Sequence, residues 1–546
     1  MFRTLSLFLT RELLRVTGLA LGAFTLVMTI FAIIEPLRQR GLGAQQVLAL
    51  FGYTLPGMIS LTLPIAALFA ATIVYGRFAQ DNELMACRAS GLPTLSLLKP
   101  ALVLGAVVTV LSLVLSNMIT PRMAAMVERA ITHDVAGMAK ERLNSKGYIE
   151  HRNYIIHAAG AKVGKIEGDG DNREELLAME GVVAADLSRG KEMRFLAAQT
   201  AVVNFTTRYG QTYATVYLVN PTGMGADYLV QEVTGPLPSE LVSGIVKDNP
   251  AWYNWQQLRR TLANPLENRQ INEELRKIQR SIRHSMVCRQ IDRAIDDKGV
   301  YDRLTDGREQ VVIRAAKAVL SGDEDQVTLT GGESGRVEVQ VLRNGELHKQ
   351  ITSDHATFET LWSAKDDTSL VCVRLGGNVC AVDVIGGRLE PQQRRDELSL
   401  EPKPLPEDLV QQAGTMSLET IYRSGDDPTF PRSVRRQVGR LKSDVIDKLT
   451  NKIIAEMHVR VSYSLSCFLM VALGAAMGLM FRGGQMISAF TLSVIPASVV
   501  IVLIMMGKQM IRNSAVSTTA GLAAMWSGIV ILALAGSIVY GHLARK

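Results

Sequence analysis

Arg77-Phe-Ala-Gln-Asp-Asn-Glu-Leu-Met-Ala-Cys-Arg-Ala-Ser-Gly-Leu-Pro93 is a short charged stretch set between two long uncharged runs. Upstream, residues 41–76 contain no Asp, Glu, Lys or Arg, and downstream the same holds for residues 100–121. Crossing a bilayer takes about 20 apolar residues, so both runs are long enough to span. The charged stretch therefore sits at one membrane surface. It reads as a short helix: Asp81 or Asn82 caps it, Leu84, Met85 and Ala89 share a face, and Gly91 with Pro93 stops it. An amphipathic helix on a tight membrane loop is a docking surface for a partner.

Working outward, the apolar residues concentrate at the two ends of the 546-residue chain, and the middle is charged. That layout implies two membrane blocks holding one soluble region. The basic flank of Arg3, Arg11 and Arg15 precedes an uncharged run, residues 16–34, that is longer than a signal-peptide core. It reads as the first span, with its N-terminus in the cytoplasm. Residues 47–75 form the second span, bent at Pro56 and Pro64, and residues 101–120 form the third. Alternation puts the charged stretch in the cytoplasm and everything after Pro121 outside it. Three further uncharged runs, 461–481, 483–507 and 513–541, complete six spans, with Arg482 alone in the first turn between them.

The expected fold is thus an α-helical integral membrane protein, with six transmembrane helices in two blocks of three and an external antiparallel β domain. Residues 1–121 make block one, residues 122–432 the external region, and residues 433–546 a linking helix with block two. Strand-like alternation covers Tyr148 to His157 as one strand, then 176–187, 194–205 and 212–219, and resumes from Val311 to Ile385. Between these groups, residues 252–297 read as a charged helical insertion. Short strands separated by Gly, Asn and Asp turns indicate a sandwich or jelly roll. Val434, Val438, Leu441, Val445, Leu449 and Ile453 recur at helical spacing in the linking helix, while Arg435, Arg436 and Arg440 occupy other faces. That basic face is either simply solvated or in contact with anionic headgroups.

No catalytic signature appears. The chain has no GxxxxGK[ST] phosphate loop, no HExxH and no GxSxG. The five cysteines form no CxxC, and the eight histidines form no metal-spaced set, so neither a metal site nor a cofactor is expected. His151 and His157, six apart in one strand, would share a face as an ordinary exposed pair. Cys372 and Cys380 flank Gly376-Gly377 in a hairpin-like stretch, as either a disulfide or two buried thiols. The net charge of +7 suits membrane flanks or anionic lipid, and no basic-aromatic pattern for nucleic acid accompanies it. The spans hold no internal Asp or Glu for proton coupling. Energy for any transport would have to come from another subunit.

Several motifs resemble the LptF/LptG permease family of lipopolysaccharide export. These are Val47-Leu-Ala-Leu-Phe-Gly-Tyr-Thr-Leu-Pro56, Leu61-Thr-Leu-Pro-Ile65, Gln80-Asp-Asn-Glu-Leu-Met-Ala-Cys-Arg-Ala-Ser-Gly91, and Asn117 with Pro121. Glu456-Met-His-Val-Arg460, Leu473-Gly474 with Gly478, and Met416-Ser-Leu-Glu-Thr-Ile421 resemble its second half. The likeness covers both membrane blocks, roughly 1–135 and 415–546. It departs at Ser464, and again at Ser517-Thr-Thr-Ala520, where the family often has proline.

The resemblance implies a non-catalytic inner-membrane permease with a large periplasmic β-jelly roll. It implies a second LptF/LptG-type permease, an LptB-like ATPase dimer that uses the ATP, and an LptC-like periplasmic protein. The cargo would be lipopolysaccharide. The proline-bearing second helix leans toward LptF. Residues 77–93 would be the coupling helix, with Glu83 at the acidic position that contacts the ATPase and Asp81 and Arg88 beside it; alternatively Glu83 is a first-turn acid stabilising the helix dipole. Helices one and five would be lateral gates. Arg38, Arg40 and, more weakly, Lys508 would meet lipid A phosphates, or else snorkel to headgroups. Ile155, Val183, Val203, Val216 and Val373 are expected to face inward in the β domain. Rival readings are a mechanotransmission-type ABC permease, typically with four helices, and a membrane-anchored sensor or structural protein.

Overall fold

A computed structural model describes residues 2–40, 44–91, 93–123, 126, 135–151, 154–167, 174–186, 194–208, 211–224, 229–231, 240–241, 249–323, 325–331, 335–363, 368–385, 388–391, 395–414, 416–480, 486–513 and 517–545. The chain divides into two compact units. One comprises Met1–Ala130, Asp248–Pro265 and Asp444–Lys546, and the other Ile131–Lys247 and Leu266–Ser443. In chain order the helices used below are α1 (Phe2–Arg40), α2 (Ala44–Gln80), α3 (Glu83–Ala89), α4 (Thr94–Leu97), α5 (Lys99–Val114) and α6 (Val135–Lys146). They continue with α7 (Trp255–Ala263), α8 (Arg269–Lys298), α9 (Glu407–Gly414), α10 (Leu418–Arg423), α11 (Arg432–Arg440), α12 (Asp447–Met480), α13 (Met486–Arg512) and α14 (Thr518–Arg545).

Among the described residues, six helices are long and apolar enough to cross a membrane: Thr4–Ala32, Thr54–Gln80, Thr94–Met123, Arg432–Met480, Phe490–Arg512 and Thr518–Leu543. The expected six spans are therefore present. Arg482, in the expected turn between the fourth and fifth, lies outside the described residues.

Small residues set the packing of this helical unit. Van der Waals contact, rather than the hydrophobic effect, holds helices together in lipid, so close backbone approach matters. Gly474 and Gly478 lie one helical turn apart on α12 and face α2. A methyl group on Gly478 would stand 2.7 Å from Thr72 O and 2.9 Å from Gly76 N, and one on Gly474 would stand 2.8 Å from Leu68 Cδ1. The facing stretch of α2 is built of Ala67, Leu68, Ala70 and Ala71, all fully buried. Gly507 on α13 likewise meets Gly521 O of α14, at 2.6 Å from a built Cβ. Buried hydroxyls add short cross-links: Thr25 with Thr62 at 2.8 Å, and Ser464 donating to Ser112 at 3.1 Å. Ser464 is thus satisfied where the resembling family has proline. At the second departure, Ser517 Oγ accepts from Ala520 N at 3.3 Å and caps α14.

The second unit is the β-rich one, built of two antiparallel sheets. The first is a meander of β1 (Tyr148–His151), β2 (Tyr154–Glu167), β3 (Glu174–Asp186), β4 (Arg194–Arg208), β5 (Gln211–Met224) and β6 (Leu229–Gln231), with β7 (Glu240–Leu241) also on β5. The expected single strand from Tyr148 to His157 is instead the β1–β2 hairpin, with Tyr148 opposite His157. His151 and His157 therefore stand on different strands, and His157 Nδ1 bonds Gly147 O. Alternation also changes phase partway along the sheet. Leu177 and Met179 are buried on β3, but the next buried apolar residue is Val182, and Val183 is 40% exposed. On β4 the same break falls between Ala198 and Ala201. Gly181 and Asn220, at this level of β3 and β5, take φ of +59° and +50°. That kink moves Val183 from the expected inner face to the outside, while Val203 remains buried and Ile155 and Val216 are half-buried.

The second sheet has β8 (Val300–Thr305), β9 (Glu309–Arg314), β10 (Lys317–Leu320), β11 (Val327–Thr330), β12 (Val337–Arg343), β13 (Glu346–Ser353), β14 (His355–Ser363) and β15 (Thr368–Ile385). Its order is β10-β11-β14-β15-β13-β12-β9-β8. The long β15 pairs with β14 through its first half and with β13 through its second. It turns this corner at Gly376-Gly377-Asn378, where Gly377 and Asn378 have φ of +71° and +47°. The hairpin expected there does not form. Cys372 and Cys380 lie on one strand, opposite Glu359 and Thr352, and both are free thiols. Val373 is buried in this sheet's core.

The charged helical stretch ends in α8, whose Ile271, Leu275, Ile278, Ile282, Val287, Cys288, Ile291 and Ile295 form one buried seam. Asn268 caps its start through Gln270 N and Ile271 N, and Gly299 ends it at φ +67°. Val287 to Ile295 join the core formed by the second sheet. Arg280 of α8 stacks 3.9 Å over the Trp362 ring, which meets Tyr213 edge-on at 4.7 Å. That stack ties α8 and β14 to β5 of the other sheet.

Candidate functional site

The loop between the second and third candidate spans holds α3. Asn82 precedes it at φ +60°, and its carbonyl accepts from Met85 N at 3.0 Å and Ala86 N at 3.2 Å. Gly91, at φ +81°, ends it. Leu84 is the anchor: it is 1% exposed and packs in one cluster with Phe78, Leu97 and Leu98. Met85 does not share that buried face, contrary to expectation. A step of about 100° per residue separates neighbours on a helix, so burying Leu84 turns Met85 outward, to 50% exposure. Glu83, Met85 and Ala89 are all exposed. Asp81 is exposed too, 3.9 Å from Arg77. Burial, followed by the negative charge of Glu83, pushes the Cys87 thiol up from its ordinary value. The loop thus presents an acid and a bare methionine on a helix pinned from beneath by one leucine.

A second cluster lies within the helical unit. Glu456 and Arg460 are one turn apart on α12 and share a face. Arg460 is 4% exposed, with Nε 3.5 Å from Glu456 Oε1. Its Nη1 donates to Asn117 Oδ1 at 3.1 Å, and its Nη2 donates to Ala251 O at 2.9 Å. Lys508 of α13 completes the group with Nζ 2.9 Å from Glu456 Oε2. One carboxylate therefore bridges two cations from two helices. An isolated ion here would carry a desolvation cost of several kcal/mol, at the order-of-magnitude level. Each charge has a partner instead.

Of the residues the sequence singled out, the structure gathers Lys508, Glu456, Arg460 and Asn117 into one network and sets Asp81 and Glu83 together on the α3 loop. The side chains of Arg38 and Arg40, at the end of α1, and of Arg88, in α3, lie outside the described residues. The meeting of Ala251 with Arg460 has no direct counterpart in the sequence pattern. Its one sequence signal is the density of aromatic residues at Trp252, Tyr253 and Trp255, beside an amphipathic α7 whose Leu258 is fully buried. Among the described residues, no group of three or more His, Cys, Asp or Glu is placed to hold a metal ion.

A family model described as lipopolysaccharide export system permease LptF/LptG matches residues 7–218 and 288–542. No curated protein matches the chain. The stretch between the two matched segments contains α7 and the first part of α8.

Proposed function

Because the chain belongs to the LptF/LptG family of lipopolysaccharide export permeases, we propose that it is the permease subunit of an ATP-driven transporter that extracts lipopolysaccharide from the inner membrane. In this reading it pairs with a second LptF/LptG-type permease. An LptB-like ATPase dimer hydrolyses the ATP, this chain itself uses no cofactor, and an LptC-like protein receives the lipid. The six candidate spans favour this over a mechanotransmission permease of four helices. The β-rich unit lies in the periplasm and passes the lipid toward the outer membrane.

The observation that carries the reading is α3. Its buried Leu84 and its outward Glu83 and Met85 form a small docking knob between two spans. Glu83 contacts the ATPase, with Asp81 and Arg88 flanking it. Arg38, Arg40 and Lys508 meet the phosphates of the incoming lipid. Lys508 does so by exchanging Glu456 for phosphate, since Arg460 stays to neutralise the carboxylate.

The test is co-purification of the full chain with an LptB-like ATPase and a second permease. Glu83→Ala should abolish capture of the ATPase while the chain still inserts and still binds its permease partner. Retention of the ATPase by Glu83→Ala and by Met85→Ala would sink the docking role. If the wild-type chain captured neither partner, the transporter reading itself would fall.

A further inference from the structure

We propose that α7 is an interfacial helix: it rests on the bilayer surface at the end of the helical unit opposite the α3 loop, and anionic phospholipid is its ligand. The inference rests on the six candidate spans and not on the transport reading. It concerns a stretch that lies between the two family-matched segments, and it stays within the helical unit, to which Asp248–Pro265 belongs.

The depth of α7 follows from the spans. Along the third span Val107, Val110, Val114 and Met118 are exposed at a spacing of three or four residues, which makes one outward apolar stripe. It stops at Met118, beside Asn117, and Arg122 one turn further on is exposed. On α13 the stripe of Ile495, Val499, Val502 and Met506 stops just before Lys508, and Gln509 and Arg512 beyond it are exposed. A stripe that faces lipid ends where the hydrocarbon ends. Both stripes end at the level of the Asn117–Arg460–Glu456–Lys508 network, which therefore marks the bilayer edge. Arg460 Nη2 donates to Ala251 O at 2.9 Å. The segment leading into α7 is thus bonded to that edge, and α7 itself lies against α12.

The surface of α7 suits that depth. Leu258 is fully buried and fixes which way the helix faces. Leu262 and Trp255 lie about 40° and about 60° round the helix from it, and they are 36% and 37% exposed. An apolar shoulder with a tryptophan is what a headgroup region accommodates best. Arg259 is exposed, about 40° beyond Trp255 at the border of this shoulder. Its stem can lie along the apolar surface while the guanidinium reaches a phosphate. Gln257 and Arg260 are exposed on the far side. A helix of nine residues is marginal by itself. Here a capping box holds it: Gln257 N donates to Asn254 Oδ1, and Asn254 N donates to Gln257 Oε1, both at 2.8 Å. Together with the Arg460 bond, this presents the shoulder preformed. The coincidence of an exposed tryptophan, a leucine and an arginine with the edge of the spans favours a lipid surface over a protein partner, which would not require that depth.

The test places the full chain in nanodiscs of phosphatidylcholine and phosphatidylglycerol, with a photo-crosslinking residue at one position and mass spectrometry of what it captures. A probe at Leu262 should capture lipid at a level comparable with a probe at Val110 in the third span. It should exceed a probe at Gln257, about 140° round the helix, by at least about tenfold. With the probe at Leu262, Arg259→Gln should lower the share of phosphatidylglycerol in the captured lipid severalfold, whereas Arg260→Gln, on the far side, should leave it unchanged. All these positions on α7 are exposed, and lipid capture at Val110 in each variant reports that the chain is inserted. No lipid captured at Leu262 while Val110 captures it, or equal capture at Leu262 and Gln257, overturns the proposal. So does a Leu262 probe that links to another protein chain in place of lipid, and an equal response to the two arginine variants removes the anionic headgroup. Transport and ATPase activity are not read out, so failure here leaves the transport reading standing.

Discussion

Asn117 and Arg460 are 343 positions apart in the chain, yet Asn117 Oδ1 accepts a hydrogen bond from Arg460 Nη1 at 3.1 Å. The orientation of the amide is set locally. Asn117 Nδ2 donates to Leu113 O at 2.9 Å, which leaves Oδ1 for the arginine. Asn117 stands in the π-helical stretch Leu115–Ile119, and such a bulge re-aims side chains out of α-helical register. Arg460 thereby joins the end of the third span, its own helix and the segment at Ala251.

Arg460→Met should be strongly destabilising. It leaves Asn117 Oδ1 and Ala251 O without their donor and removes one of the two cations around Glu456. Breaking a buried pair in this way costs about 3–5 kcal/mol. The check is the thermal unfolding midpoint of the purified chain in detergent. Arg460→Lys should recover part of the loss, because a lysine restores the charge but not the fork. Asn117→Ala should cost stability in the wild type and much less in the Arg460→Met background, since both changes remove one bond. Additive losses would mean that the two residues do not act together.

Lys403 gives the β-rich unit a pH dependence. Its ammonium is 3% exposed and lies 2.7 Å from Asp306 Oδ2 and 2.9 Å from Glu309 Oε2. The Lys403 hydrogen bond is the largest cause holding both carboxyls below their usual range; Arg343 also lowers Glu309. Burial by itself would lower the Lys403 pKa, but the two acids outweigh it and raise it. A depressed carboxyl contributes stability that is complete above its unfolded value, about 4, and that is lost as pH falls through the lower folded value. The raised lysine contributes below its unfolded value, about 10.4, and loses this as pH rises through the folded one. Lys403→Met should therefore lower the unfolding midpoint by a constant amount through neutral pH, with the gap to the wild type narrowing below about pH 4. A gap independent of acid pH would show that the ion pairs do not govern it.

The thiols should react in an order set by burial. Burial pushes Cys288 up to about 12, and the nearby Asp325 and Asp292 push the same way, while burial takes Cys372 to about 11. Both are therefore protonated and enclosed at pH 7.5, where the thiolate is the reactive form. Cys380 is half-buried on the far side of the Gly376–Asn378 corner. Timed N-ethylmaleimide labelling with peptide mass spectrometry should modify Cys380 well before Cys372 and Cys288. Non-reducing peptide maps should show no Cys372–Cys380 linkage. Equal rates, or a linked peptide, would contradict the single-strand placement.

The membrane half was legible because its signals are local. An uncharged run long enough to span shows in sequence whatever it packs against, and so did the charged loop of α3. What escaped the sequence depends on backbone departures with weak local signatures. Gly181 and Asn220 shift the buried face of the first sheet, so the alternation that predicts Val183 inward does not persist. Gly376-Gly377 looked like a hairpin turn but is a corner within one strand, because β13 and β14 supply partners on either side of it. Leu84, Met85 and Ala89 are all apolar and so read as one face, but helical geometry buries Leu84 alone and leaves Met85 and Ala89 exposed. The Asn117–Arg460–Ala251 contact joins three distant segments, and no window of sequence contains it.

The glycines facing α2 allow a graded test of how the helical unit is held together. A Cβ at Gly478 would lie 2.7 Å from Thr72 O and 2.9 Å from Gly76 N. Those are backbone atoms of a helix and cannot swing aside, so Gly478→Ala must push α2 and α12 apart. At Gly474 the nearest obstacles are Leu68 Cδ1 at 2.8 Å and Thr72 Oγ1 at 2.9 Å, with Leu68 O at 3.0 Å. Two of these are side-chain ends that can rotate, so Gly474→Ala should be milder. Gly536 on α14 has nothing within 4 Å of a built Cβ, and Gly536→Ala should be neutral or slightly stabilising, as alanine is the better helix former by roughly 1 kcal/mol. The expected order of unfolding midpoints is therefore Gly536→Ala at or above the wild type, then Gly474→Ala, then Gly478→Ala. Overpacking of this kind costs about 1–3 kcal/mol. A single cysteine at the interface, Thr72→Cys, made alone and together with Gly478→Ala, gives a second readout: alkylation of the introduced thiol should speed up when the helices separate. If Gly478→Ala matched the wild type in both midpoint and alkylation rate, α2 and α12 would not pack through this glycine face.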